Sequence, residues 1–482
     1  NIVLIYKDEK EVDFDSVSLE DLLNGTVTVV TRTATKELES SAIVSVVTRD
    51  DILNSGARDL LDVFQLIPGV NIAQDSYGVV SISMRGIWAQ EGKVLLLWNG
   101  IELNERGYGI HEFGNRYPLD TIERIEVLRG PGSVAYGQFA ELAVINIITR
   151  SPKEIGGATV NGYYGQGEHG LGQLNFGASA GVTTKFGLSF DVSAFGGHGE
   201  RSDRTYTDFA GESYGMSHNS ALNPLFINAN VQFKDLKLSF IYDGFNMQTR
   251  DVSGPVNPEP YRQTLTGYFA QAQYDWHIND RVTLTPTLMF KQQEPFDIPD
   301  PNSPYYFNVV IRHYAARVLA YFKPIDSLGV TAGAEIYLDE GVVRPPVNVA
   351  SNLLWPNGTD HSQLTGQAAF LEASYTSIIG NLTVGARYEH QNPAGTANGT
   401  LGIQVPFIPR AALTKTIDRF HFKLMASEAF RARRWMPRFV EAHATSGVLF
   451  TSLRWSSSTA RSEGVETASM NAAVWSLFRW PL

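Results

Sequence analysis

The sequence predicts a mainly β protein: an N-terminal α/β domain followed by a transmembrane antiparallel β-barrel. Three observations predict it. From Ala158 onward, apolar and polar residues alternate with period two in about thirteen runs, the pattern of strands with one apolar face. The connections between those runs alternate between short turns and long loops, which matches barrels with short turns on one side of a bilayer and long loops on the other. No apolar run approaches the roughly 20 residues a membrane helix needs, so any crossing is made by strands.

Composition agrees. The 482 residues include 43 Gly, 26 Phe, 20 Tyr and 8 Trp, which suits short strands with aromatics at bilayer interfaces. The chain has no Cys, which excludes a disulfide framework and a thiolate metal site. A net charge of -11 argues against nucleic acid as a partner. Ile2–Tyr6 is too short for the apolar core of a signal peptide, so an exported protein is expected here in processed form.

Residues 1–35 form an N-terminal segment. Ser18–Asn24 reads as a short helix capped by Ser18. Thr26, Val27, Thr28, Val29, Val30 and Thr31 form a β-branched run, either the first strand of the next domain or an extended segment able to add to another sheet's edge. Residues 36–152 form the α/β domain. Ile43–Thr48 is a strand; Asp50-Asp51 opens a helix that stops at Gly56; Asp59–Gln65 is a second helix, ended by Ile67-Pro68-Gly69. Val70–Ala73 and Val79–Met84 alternate as strands, and Val94–Trp98 is a buried strand turned by Asn99-Gly100. Ile122–Leu128 and Ala143–Thr149 flank Gly130-Pro131-Gly132, a sharply specified turn. Gly137 is not followed by Lys-Ser or Lys-Thr, so this is not a phosphate-binding loop.

The order of these pieces resembles the plug domain of TonB-dependent outer-membrane receptors. The matching residues are Leu61–Val70 (L-D-V-F-Q-L-I-P-G-V), Ser83–Gly86, Val94–Gly100, Pro118–Val127, Arg129–Ser133, Tyr136-Gly137 and Val144–Thr149. The likeness extends from about Ser18 to Pro152 and departs at Trp98, where Asp is usual, and Ala143, where Gly is usual. It implies a plug seated in a barrel of 22 strands. It makes Thr26–Thr31 a candidate TonB box, pairing with a TonB-type periplasmic energy-coupling protein. It makes Arg85, Glu126 and Arg129 a candidate latch between plug and barrel wall. It also implies an outer-membrane location, contact with its lipid, and active uptake of a small-molecule ligand such as a ferric siderophore or a cobalamin-like chelate; an oligosaccharide or peptide competes as ligand. Charged and aromatic residues on the plug loops (Trp88, Gln90, Glu91, Arg106, Tyr108, His111, Glu112) and on the first long outer loop (Arg201, Asp203, Arg204, His218) are ligand candidates.

Residues 153–430 carry the strands, read at 158–165, 172–181, 186–196, 225–234, 236–247, 264–277, 281–292, 307–322, 329–339, 363–378, 382–391, 403–416 and 419–429. Long loops are expected at Gly197–Asn223, Arg250–Arg262, Glu294–Tyr306 and Glu340–Ser362. In residues 431–482 the alternation fails: Arg431–Arg438 is dense in cations and Ser456–Asn471 is rich in Ser, Thr and Ala. A plug of this size has an equivalent radius of roughly 18 Å. Fourteen tilted strands close at a radius of roughly 14 Å and 22 at roughly 22 Å, so about thirteen strands are expected to form an incomplete barrel. Zincin, nucleophile-elbow and dinucleotide signatures are all missing. No enzyme activity, metal site or cofactor is expected; a passive porin-like or adhesive barrel is the alternative.

Overall fold

The computed structural model describes residues 26–27, 29, 35–36, 40–430 and 438–439, except 75–78, 90–91, 209–210, 251–259, 299, 301–305, 345–352, 355–359, 395–402 and 418–419. The expected helix at Ser18–Asn24 and the region after Phe430 therefore lie largely outside the described residues.

The chain opens with a two-stranded pair, β1 (Thr26–Val27) and β2 (Thr35–Lys36). The plug follows: β3 (Val44–Thr48), α1 (Arg49–Ser55), α2 (Leu60–Phe64), β4 (Val70–Gln74), β5 (Val80–Met84), β6 (Ile87–Trp88), β7 (Val94–Trp98), β8 (Ile101–Glu102), β9 (Ile122–Arg129), α3 (Ser133–Tyr136), β10 (Ala143–Thr149) and α4 (Pro152–Ile155). Its helices begin where side chains satisfy their orphan amides. Thr48 and Asp51 form a capping box for α1, and Gly56 ends it in the left-handed region at φ 70°. Asp59 accepts from Leu61 N–H at 2.9 Å and Asp62 N–H at 3.2 Å to start α2. The main plug sheet has the order β3-β9-β10-β7-β8 and the smaller one β4-β5-β6. At the centre, β10 runs antiparallel to β9 and parallel to β7, and Ala143, Val144, Ile145 and Ile147 are fully buried. Asn99 and Gly100, at φ 50° and 82°, form the left-handed two-residue turn between β7 and β8.

The wall is one antiparallel sheet in chain order. Its strands are β11 (Gly157–Gln166), β12 (Leu171–Thr183), β13 (Leu188–Glu200), β16 (Ala221–Phe233), β17 (Leu236–Thr249), β18 (Tyr261–Tyr274), β20 (Val282–Asp297), β21 (Val309–Ile325), β22 (Leu328–Val343), β24 (His361–Thr376), β25 (Asn381–Ala394), β26 (Ile403–Ile417) and β27 (Phe420–Ser427). Short pieces accompany it: the hairpin β14 (Thr205–Thr207) and β15 (Ser213–Gly215), β19 (Trp276–Asn279) beside β20, and β23 (Leu353–Leu354) paired with β28 (Arg438–Phe439). All thirteen expected strands are found. Most extend further into the long loops than expected: β13 runs to Glu200, β20 to Asp297 and β22 to Val343. There the apolar/polar alternation fades, as in His198-Gly199-Glu200, and the ladder continues beyond it. Among the described residues β11 and β27 do not pair with each other, and the sheet is open.

The outer face of this sheet is apolar. Val160, Phe176, Leu288, Ile336, Leu371 and Phe407 are exposed, far more apolar surface than a water-facing sheet carries. Phe186, Phe233, Trp276, Phe322, Tyr375 and Phe422 gather near the short turns, as in the aromatic girdle of a barrel. The inner face wraps the plug. Phe195, Phe226, Ile241 and Phe269 from four successive strands join the plug's core cluster.

Candidate functional site: the seam between plug and wall, and the outer loops

Polar side chains spaced two apart along each strand point inward and meet the plug. Arg116 donates in bidentate fashion to Asp243 at 3.0 and 2.9 Å, and Tyr117 Oη donates to the same carboxylate at 2.9 Å. Lys291 Nζ donates to Glu102 at 2.6 Å and to the Asn104 carbonyl at 2.8 Å. Arg106 donates to Asp339 at 3.2 Å and lies beside His313. Near the last strand, Arg410 donates to the Ser41 carbonyl and Lys423 to the Ala42 carbonyl, each at 2.9 Å. Burial alone would raise the Glu102 carboxyl, but Lys291 and Arg106 outweigh it and hold it at about 2.

The latch candidates Arg85, Glu126 and Arg129 make the following bonds among the described residues. Arg85 Nη2 donates to the Arg129 carbonyl at 3.0 Å, and Arg129 Nη1 donates to the Pro68 carbonyl at 3.2 Å. Both are bonds within the plug, because the loop after β5 folds back onto the turn after β9. Glu126 is fully buried; it accepts from Val29 N–H at 3.0 Å and pairs with Arg124 at 2.9 Å. Ion pairs that join the plug to the described wall include Arg116–Asp243, Arg106–Asp339 and Lys291–Glu102.

The Thr26–Thr31 segment folds back in the described portion: Thr26 and Val27 pair with Lys36 and Thr35, and Val29 is buried with Val44, Leu97, Leu128 and Val144. Thr28, Val30 and Thr31 lie outside the described residues.

The ligand candidates divide. Arg106 and His111 are buried in the seam rather than presented to solvent. Tyr117 and His111 share a hydrogen bond at 2.8 Å, and burial beside Arg116 pushes the His111 pKa well down. Tyr108 is half-buried against Phe296 and Phe307 near the outer ends of β20 and β21. Its loop is held by Glu105, which accepts from Gly107 N–H at 2.7 Å, from Ile110 N–H at 3.1 Å and from Tyr108 N–H. Burial pushes the Glu105 carboxyl up to about 7, against those bonds. Arg201 reaches Glu112 at 3.4 Å. Asp203 accepts from the His169 and Gly170 N–H groups, while Arg204 pairs with Glu168 at 2.9 Å on the outer surface. His218 is exposed and lies 3.3 Å from Glu200. Trp88 is half-buried, and its carbonyl accepts from Lys93 at 3.1 Å. Gln90 and Glu91 lie outside the described residues. Among the described residues no group of three or more His, Asp or Glu is arranged to hold a metal ion.

Sequence reasoning missed Asp243, Lys291, His313, Asp339 and Arg410. Each sits at an inward position of an alternating strand, and a charge recurring there was the available signal. Trp98, a departure from the resembled pattern, is fully buried and packs against Phe226, ring centroids 4.7 Å apart and planes tilted by 57°. An Asp there would stand unpaired against an aromatic wall.

Comparison with known proteins agrees with this geometry. Residues 36–144 match the family described as TonB-dependent Receptor Plug Domain. The vitamin B12 transporter BtuB of Vibrio vulnificus is 33% identical over 156 residues, covering 32% of this chain and 25% of that protein. A mutant ferric enterobactin receptor, PfeA, from Pseudomonas aeruginosa in complex with enterobactin aligns with a TM-score of 0.62 at 18% identity, over 81% of this chain and 63% of that one. The siderophore receptor PirA from the same organism aligns at 0.57 and 18% identity, over 81% and 62%. At those identities the structural likeness is one of fold, and this chain spans less than two thirds of each relative. Residues 36–144 thus match the plug domain of TonB-dependent receptors, and the sheet wrapped round them shares the fold of solved receptors of that kind.

Proposed function

We propose that this chain forms the gated core of an outer-membrane receptor. It takes up a scarce chelate of the ferric-siderophore or cobalamin class, with energy drawn through a TonB-type periplasmic partner. The observation that carries this reading is the lumen filled by a separate domain. Inward side chains from β11 to β27 bond to or pack against the plug, so nothing of nutrient size passes until the plug rearranges. That argues against a passive porin, which has no use for a bonded stopper. The apolar exterior supports residence in lipid. The ligand class rests on the two kinds of relative, a vitamin B12 transporter and siderophore receptors. On this reading Tyr108, Arg204, His218 and Trp88 stand nearest the outer mouth as ligand contacts, and the segment around Thr26–Thr31 is handed to the partner by strand addition.

Cells lacking their own receptors, expressing this protein with and without residues 1–35, test the coupling. Uptake of cyanocobalamin and of ferric enterobactin is the readout. Loss of at least tenfold without the segment is expected; unchanged uptake of whichever compound enters overturns coupling through it.

A further inference from the structure

Plug and wall meet in two different ways around the circumference. Toward β13, β16 and β17 the contact is largely dry: Phe195, Phe226 and Ile241 belong to the plug core, Trp98 and Tyr117 both pack on Phe226, and the Arg116–Asp243 pair there is buried and bonded on both sides. Toward β18, β20, β21, β22 and β25 it is a charged cavity of about 50 Å³, room for a few waters. Inward positions on these strands set charges in tiers. His313 stands across from Asp339, and four residues further along β21, Arg317 stands across from Glu335. At about 3.3–3.4 Å per residue the tiers lie roughly 13 Å apart. Tyr108, against Phe296 and Phe307, caps the outer end.

The cavity has unmet hydrogen-bonding capacity. Lys291 has Glu102 at 2.6 Å, Arg106 has Asp339 at 3.2 Å and Arg387 has Glu389 at 2.8 Å. Arg317 stands 3.7 Å from Glu335, and its buried Nε has no hydrogen-bond partner among the described residues. Gln271 Oε1, also lining the cavity, has none either. One open donor and one open acceptor facing the same space are satisfied by water or by a polar solute.

The two walls therefore resist separation unequally. Parting the dry wall exposes apolar surface with nothing to replace the lost contact. Parting the charged wall exchanges one hydrogen-bond partner for another, water or the solute itself, at little net change. We propose that the plug stays attached to β13–β17 while the solute passes down the β18–β25 side, handed between the charge tiers from Tyr108 to Arg317. The inference rests on the uptake reading and adds to it the side of opening and the chemistry of the path: a solute rich in hydrogen-bonding or charged groups.

The chain has no Cys, so introduced thiols react alone. Single variants Arg317→Cys and Ile241→Cys, placed in the outer membrane of energised cells, are exposed to an anionic, membrane-impermeant methanethiosulfonate. Labelling at 317 is expected to be at least tenfold faster than at 241; Gln271→Cys, which keeps Arg317, serves if the first variant fails to assemble. A Cβ on Gly199 would stand 3.4 Å from that of Asn115, close to the roughly 3.5–4.5 Å span of a disulfide. Oxidising the Asn115→Cys/Gly199→Cys pair therefore staples the plug to β13, and labelling at 317 is expected to be unchanged. Equal labelling at 241 and 317, or loss of labelling at 317 on stapling, overturns the proposal. Labelling does not depend on which nutrient is carried, so failure of the uptake reading is seen separately, as absent uptake.

Discussion

Glu126 shows how much one buried side chain carries. It is shielded from solvent yet accepts from Val29 N–H and from Arg124, so it ties the N-terminal segment to the plug sheet. Glu126→Ala leaves that amide without its acceptor, at a cost of about 1–3 kcal/mol. Limited trypsin digestion should then cut at Arg32 and Lys36 several-fold faster while the plug core resists. Glu105 and Glu102 make opposite pH predictions. Glu105 lies at about 7 when folded against an ordinary 4.5, so its contribution is complete below pH 4.5 and is lost as pH rises through about 7. Glu102 is held at about 2, so its contribution is present above pH 4.5 and lost as pH falls toward 2. Glu105→Gln should flatten the fall in melting temperature between pH 5 and 8, a slope worth at most roughly 3 kcal/mol. An unchanged slope would mean that the Tyr108 loop is not held by an ionising carboxyl.

Among elements, β17 and the turn after β9 are the most exacting. Asp243→Ala on β17 leaves Arg116 buried without its carboxylate, which costs about 3–5 kcal/mol, whereas Arg116→Met with Asp243→Leu should recover most of it. Urea unfolding of the three variants separates the outcomes. At the turn, a Cβ on Gly132 would sit 2.7 Å from Val144 Cγ2, so Gly132→Ala should cost about 1–3 kcal/mol and Val144→Ala should relieve it. The glycine-proline-glycine signal thus has a packing cause as well as a conformational one. The same scale shows why the strands were legible. An apolar outer face and an inner face turned to the plug enforce period two, as in Asn381–Tyr388, so thirteen strands stand out from local pattern alone. Their outer ends were not legible, because beyond the bilayer neither face must be apolar. The burial of Arg106 was not legible for a related reason. A cationic plug loop reads as solvent-facing until Asp339, 233 residues away, is known to stand against Arg106.

For the whole molecule, an apolar exterior and a charged interior invert the arrangement of a soluble protein. Ile336 lies on the outer face midway along β22, and Ile336→Arg should cost about 2–4 kcal/mol of folding into a bilayer. Ile378, in a turn, should tolerate Arg at about 0–1 kcal/mol; refolding titrations into lipid vesicles measure both. Equal costs would remove the membrane reading of the outer face. No local pattern could show which inward charges meet the plug, since that depends on how a curved sheet closes round another domain. The bonds from Arg410 and Lys423 to the Ser41 and Ala42 carbonyls extend this point. They clamp strands late in the chain onto a segment that precedes the plug's first long strand. The order of synthesis is therefore not the order of completion: the early residues wait, still uncommitted, for the β26–β27 hairpin to arrive, and stopper and wall mature together.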